Sequence, residues 1–189
     1  MIPYQKEKIE NAICFFASEH QKRTKKPLYQ TFLYKYLALF EFQCIKKFGR
    51  PPLELKYLAM DKGPVPIKIY SRRESYETPC FVFKKISPDQ FIVIPKGSPN
   101  LDYFPQIEQL EIKRLVEIYA DKFVKADDMI EASHQSIKAW RETYAEKPNS
   151  PIDYQKEFDR DLEKKPREEL TVAEESFLIY KALEKAGSR

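Results

Sequence analysis

The sequence predicts an α+β fold that is predominantly α-helical: a compact helical domain with a small β-hairpin insertion at about residues 80–95. Three observations carry this expectation. Apolar residues recur at helical spacing over most of the chain. One stretch, residues 80–95, switches to short β-type runs. At 189 residues, 42% hydrophobic and 14% aromatic, the chain is long and apolar enough to bury a core without disulfides or metals.

The elements follow in order. Ile9, Ala12, Ile13 and Phe16 mark one helix face over residues 4–18, and the polar, basic run 19–27 reads as a loop. Residues 28–48 read as a long helix. Its apolar residues, among them Leu33, Tyr36, Leu37, Leu39, Phe40, Cys44, Ile45 and Phe48, cover most of the circumference, which predicts a central, buried helix. Gly49 supplies a left-handed stop, and Pro51 and Pro52 prevent continuation. Proline suits a first helical turn, so a short helix is expected over residues 64–72, with Val65, Ile69 and Tyr70 inward.

Phe81-Val82-Phe83 and Phe91-Ile92-Val93-Ile94 flank Ser87-Pro88-Asp89, the pattern of a hairpin that must pack on helices to persist. Helical spacing returns over residues 104–123, then over a short segment near 127–132 and in a helix holding Trp140 and Tyr144. Lys147-Pro148-Asn149-Ser150-Pro151 reads as a linker. Beyond it, Ile152, Tyr154 and Phe158 form an apolar patch, and a charged run follows to residue 169. Thr171-Val172-Ala173-Glu174 matches a capping box that opens a last helix to about residue 186. That helix carries an apolar stripe, to be docked on the domain or offered to a partner groove.

Composition excludes several function classes. With 33 basic and 29 acidic residues the net charge is +4, a mixed-sign surface rather than the clustered excess of a dedicated nucleic-acid binder. Cys14, Cys44 and Cys80 form no CxxC pair, so neither a disulfide framework nor a zinc site is suggested, and Cys14 and Cys44 read as small core residues. The opening residues 1–8 are charged where a signal peptide needs an apolar run, and no stretch approaches a membrane span. The expectation is a cytoplasmic protein without a membrane, metal or cofactor partner.

No phosphate-binding loop, dinucleotide fingerprint, HExxH or GxSxG string occurs. His134 follows Ser133 at an expected helix end, six residues before Trp140, the only tryptophan. It reads either as a general base or as a helix-terminal residue packed on an aromatic neighbour, and the absence of an obvious nucleophile favours the second. Lys35 lies in the most apolar helix, so its charge must reach a carboxylate such as Glu41 or Asp61, or serve a binding surface. Gly63-Pro64-Val65-Pro66 is the most specific local string: a helix start with a close approach, or a rigid exposed knuckle for a partner.

Taken together, these residues resemble the Panacea domain, the SocA-like antitoxin domain of bacterial and phage toxin–antitoxin pairs. Leu33-Tyr34-Lys35-Tyr36-Leu37 is similar to the family's Leu-x-Lys-x-Leu pattern, and the helix exits at Gly49-Arg50-Pro51 as in the family. Residues 59–66 with Tyr70 resemble its Gly-Pro-Val signature and tyrosine, and Ser133-His134…Trp140 resembles its Thr-His…Trp ending. The likeness covers roughly residues 8–145. Ala38 stands where a tyrosine is common, Ser133 replaces a threonine, and the tail has no counterpart. These departures leave the fold expectation intact and weaken the case for the same partner surface.

The resemblance implies a Panacea-like domain over residues 4–147 and a C-terminal extension over 148–189. It implies an antitoxin that neutralises a cognate toxin, encoded beside it, by direct contact, with no catalytic residue carried over. The motif or partner-binding residues it implies are Lys35, Gly63, Pro64, Val65, Pro66, Tyr70, His134 and Trp140. A second reading is a proteolytic adaptor or chaperone-like protein that uses the tail to deliver a client to a protease. A third is an enzyme built on His134 with Lys35 or a tyrosine.

Overall fold

The computed structural model describes residues 3–187. Seven α-helices surround two small antiparallel sheets among the described residues, the predominantly helical α+β architecture that the periodicity predicts. Helix α1 (Gln5–Thr24) and helix α2 (Gln30–Phe48) form the centre, joined through β1 (Leu28–Tyr29). Of the 19 residues of α2, 13 are buried, which makes it the central helix that its all-round apolarity requires. Phe16 and Tyr36 stack with ring centroids 4.7 Å apart and fix the α1–α2 contact.

The expected loop at 19–27 is instead mostly helix. His20 and Thr24 continue the inward face one turn beyond Phe16, and the Thr24 hydroxyl donates to the His20 carbonyl at 2.7 Å. Glu19 pairs with Lys22 and Arg23 on the outward side, so the polarity that reads as a loop is a solvated helix face. The helix expected from residue 28 begins two residues later. Leu28 and Tyr29 pair with Val93 and Ile92, because hairpin strand β5 leaves an edge that the chain fills on its way into α2.

The hairpin falls where the sequence predicts it, as β4 (Phe81–Ser87) and β5 (Gln90–Pro95), and the sheet order is β1-β5-β4. A second hairpin pairs β2 (Tyr57–Met60) with β3 (Gly63–Pro66). Residues 64–66 are therefore strand rather than helix. Proline lacks the donor of an interior strand but is tolerated at an edge, and α3 (Ile67–Arg72) starts immediately after Pro66. Ile69 is buried and Val65 half-buried, whereas Tyr70 is 39% exposed and lies against the Arg73 guanidinium instead of pointing inward.

Helices α4 (Gln106–Tyr119), α5 (Ala126–Ser136) and α6 (Lys138–Glu146) complete the shell. The expected linker is an ordered third line of the β2–β3 sheet. Asn149 N–H donates to Ala59 O at 2.8 Å, Ala59 N–H to Ser150 O at 2.9 Å, and Ile152 N–H to Tyr57 O at 2.9 Å. Phe158, Leu162 and Phe177 of the tail join the same core as α2.

The last helix, α7 (Val172–Gly187), opens with the predicted capping box. Thr171 N–H donates to Glu174 Oε2 at 2.7 Å, and Glu174 N–H donates to the Thr171 hydroxyl at 3.3 Å. Helix α7 docks where α2 ends. Gly49 stands at φ 73°, and a Cβ there would overlap the Ala173 carbonyl oxygen. Of the apolar stripe, Phe177 is buried and Leu178 and Tyr180 are half-buried while Leu183 faces outward, so the stripe divides between docking and exposure.

Candidate functional site: a buried lysine under a proline hairpin

Helix α2 projects Lys35 beneath the β2–β3 hairpin, where only 1% of the residue is exposed. Gly63 makes that approach possible. Its φ is +93°, and a Cβ there would stand 2.7 Å from Lys35 Nζ and 2.8 Å from Ser133 Oγ. Any side chain would drive the hairpin off the lysine. The ammonium donates to the Pro64 carbonyl at 3.3 Å. It does not use Glu41, which is engaged elsewhere, and Asp61 acts on it only through its field. Burial lowers the Lys35 pKa from its ordinary 10.5 to about 7, with the Asp61 charge opposing.

The hairpin is clamped from above by α5 and α6. Trp140 Nε1–H donates to the Met60 carbonyl at 3.0 Å, tying α6 to the end of β2. The His134 ring stacks flat on Trp140, with centroids 3.9 Å apart and planes 6° from parallel, and Trp140 stacks in turn on Tyr144 at 5.2 Å. Ser133 is buried and its hydroxyl donates to Ile130 O at 2.7 Å. His134 Nε2 is buried without a hydrogen-bond partner among the described residues, and burial, followed by the nearby Lys35 charge, holds the imidazole below its ordinary range.

The structure thus gathers Lys35, Gly63, Pro64, His134 and Trp140 from three separate parts of the chain into one cluster. Val65 and Pro66 continue the hairpin away from it. Tyr70 stands apart, its ring 6.4 Å from that of Tyr34 and close over Arg73.

A second buried ionisable group was legible only as a possible partner for Lys35. Glu41 is fully buried and accepts from Leu53 N–H at 3.0 Å, Leu55 N–H at 2.9 Å and the Tyr154 hydroxyl at 2.8 Å. The same Tyr154 oxygen also contacts the Leu55 carbonyl. Burial raises the Glu41 pKa from 4.5 to about 8, against the opposing hydrogen bonds. The one signal in the sequence is an acid in an apolar helix; its partner, Tyr154, lies 113 residues away.

Fold and site together define a predominantly helical α+β domain organised around a buried Lys–His–Trp cluster under a Gly-Pro hairpin. No protein-family model, curated protein or solved structure matches the chain. Among the described residues, no helix is long and apolar enough to cross a membrane, and no three His, Cys, Asp or Glu side chains gather as metal ligands.

Proposed function

We propose that this protein is an antitoxin of the SocA-like, Panacea kind, neutralising a toxin encoded beside it by direct protein–protein contact. One observation carries the reading: Lys35, Gly63, Pro64, His134 and Trp140, drawn from family-like motifs up to about a hundred positions apart in sequence, meet in a single cluster that fixes the β2–β3 hairpin to α2, α5 and α6. Motifs met by chance would have no reason to converge.

The cluster's chemistry supports a binding role over a catalytic one. Lys35 and Ser133 are buried, and the Ser133 hydroxyl is committed to a backbone carbonyl. Neither they nor His134 line the groove of about 880 Å³ beside α2 or the cleft of about 640 Å³ below α7. A nucleophile or base needs reach to a substrate, which burial denies to Lys35 and Ser133. Read this way, the cluster is the keystone of a rigid scaffold whose outer surfaces meet the partner.

The test is growth rescue. Each flanking open reading frame is expressed from an inducible promoter with and without this protein. One neighbour is expected to arrest growth alone and to be harmless in company; a set of neighbours none of which is toxic defeats the reading.

A further inference from the structure

Five chain segments converge on a groove of about 880 Å³: the α1–β1 junction, the first turn of α2, the turn between β2 and β3, the turn between β4 and β5, and the α4–α5 connection. That volume lies within the range of sites that hold a ligand, roughly 300–1,000 Å³. Its floor is aromatic, with Phe32 and Phe91 buried, and Phe123 stands 76% exposed at its lip. Its rim carries Lys26, Lys62, Lys122 and Lys125 against Asp89 and Asp121, four positive groups to two negative. The whole chain has a net charge of +4, so a net +2 at one groove is half of the total.

The aspartates do not cancel the lysines evenly. Asp121 accepts from the Phe123 backbone N–H at 2.8 Å and is turned to the local loop. Gln30 donates its amide to the Asp89 carbonyl at 2.7 Å and ties the start of α2 to the β4–β5 turn at the groove.

From this charge complementarity we infer that the groove is the docking site for an acidic partner segment, a stretch of peptide carrying carboxylates on both sides of an apolar or aromatic residue. The apolar residue sits over Phe32 and Phe91, and the carboxylates meet the lysine rim. Nucleic acid fits less well. A polyphosphate track would need a continuous basic surface, whereas two aspartates interrupt this one and the charge is local. Exposed Phe123 adds the aromatic contact that interface centres favour. The inference rests on the protein-binding reading above, which it supplies with a surface.

The experiment has two arms. In the first, the full chain is titrated, followed by backbone amide resonances, with a blocked peptide of alternating glutamate and phenylalanine. The same peptide with lysine for glutamate, ATP and a thymidine oligonucleotide serve as comparisons. The acidic peptide is expected to shift Gln30, Phe91 and Lys125. The exposed triple variant Lys26→Glu, Lys122→Glu, Lys125→Glu is expected to bind it about tenfold or more weakly, and added salt to weaken it in the wild type. Phe123→Ser, at an exposed position, gives a second weakening without risk to the fold. Absence of shifts in the groove, equal shifts with the lysine peptide, or occupation by ATP or the oligonucleotide in place of the acidic peptide overturns the inference.

In the second arm the triple variant enters the growth-rescue assay. Loss of rescue supports the groove. Full rescue by a folded triple variant removes the groove as the toxin's docking site while leaving the antitoxin reading standing. A set of harmless neighbours removes the antitoxin reading, and the titration then decides the groove alone.

Discussion

Lys35 and Glu41 stand on the same buried helix, less than two turns apart, and the chain treats them in opposite ways. Glu41 is met by three donors within 3.0 Å, two from the backbone and one from Tyr154. Lys35 is met by a single carbonyl at 3.3 Å, although an ammonium has three protons to donate. The acid is knitted into the polypeptide and holds the 53–55 segment and the tail. The lysine is packed rather than paired, and what surrounds it is glycine, serine and an aromatic stack. A buried polar group with its partners complete is a structural bolt; a buried charge with its partners incomplete adds little stability for its desolvation cost. Gly63, Ser133 and the His134–Trp140 stack lie around the second kind, so these residues serve the shape of the hairpin more than the comfort of the charge.

The largest effects test the stack that holds the hairpin over Lys35. Trp140→Ala removes two ring contacts and the hydrogen bond to Met60, and should cost about 3–5 kcal/mol in urea unfolding. A loss below about 1 kcal/mol would show that the hairpin is held by something other than the indole.

Next, the contrast between the two ionisable groups can be broken directly. Glu41→Ala orphans the N–H groups of Leu53 and Leu55, at about 1–3 kcal/mol each, and should also loosen the tail against proteolysis. Lys35→Met should leave stability unchanged or raise it, since a buried ion replaced by an apolar isostere relieves desolvation. Equal destabilisation by the two variants would erase the distinction between the bonded acid and the packed lysine.

The most diagnostic effect is in pH. The folded chain holds a proton on Glu41 that the unfolded chain releases between about 4.5 and 8, so this group makes stability fall as pH rises through that window. The unfolded chain holds a proton on Lys35 that the folded chain releases between about 7 and 10.5, so stability rises through that window. The two contributions together place a stability minimum near neutral pH. Denaturant midpoints measured across pH should lose the acid-side slope in Glu41→Gln and the alkaline-side slope in Lys35→Met. Unaltered slopes in both variants would mean that neither group carries the linkage.

Some of this was legible in the chain itself. The run of apolar residues around α2 has no polar face to give to water, so it had to be central. Gly49 and the Thr171–Glu174 box act within a few residues of themselves, and both did what local stereochemistry dictates. The hairpin at 81–95 was readable because strand alternation is also local. By contrast, residues 19–24 looked like a loop because their polarity hides a helix whose inward members are His20 and Thr24. Residues 64–66 looked like a helix start because proline favours both a first turn and an edge strand, and only pairing with β2 decides between them.

What the sequence by itself determined is therefore the class of fold, the central helix and its stops, and which residues had to be special: a lysine in an apolar helix, a glycine before proline, a lone tryptophan after histidine. Only the tertiary structure decided that these belong to one site, that Tyr70 lies outside it, and that Glu41 serves Tyr154 rather than Lys35. The reason is physical. Caps, turns and periodicity depend on neighbours a few residues away, whereas a buried charge chooses its partner by which groups the packed core brings within about 3 Å. That choice is made across a hundred residues of chain, where local pattern carries no information.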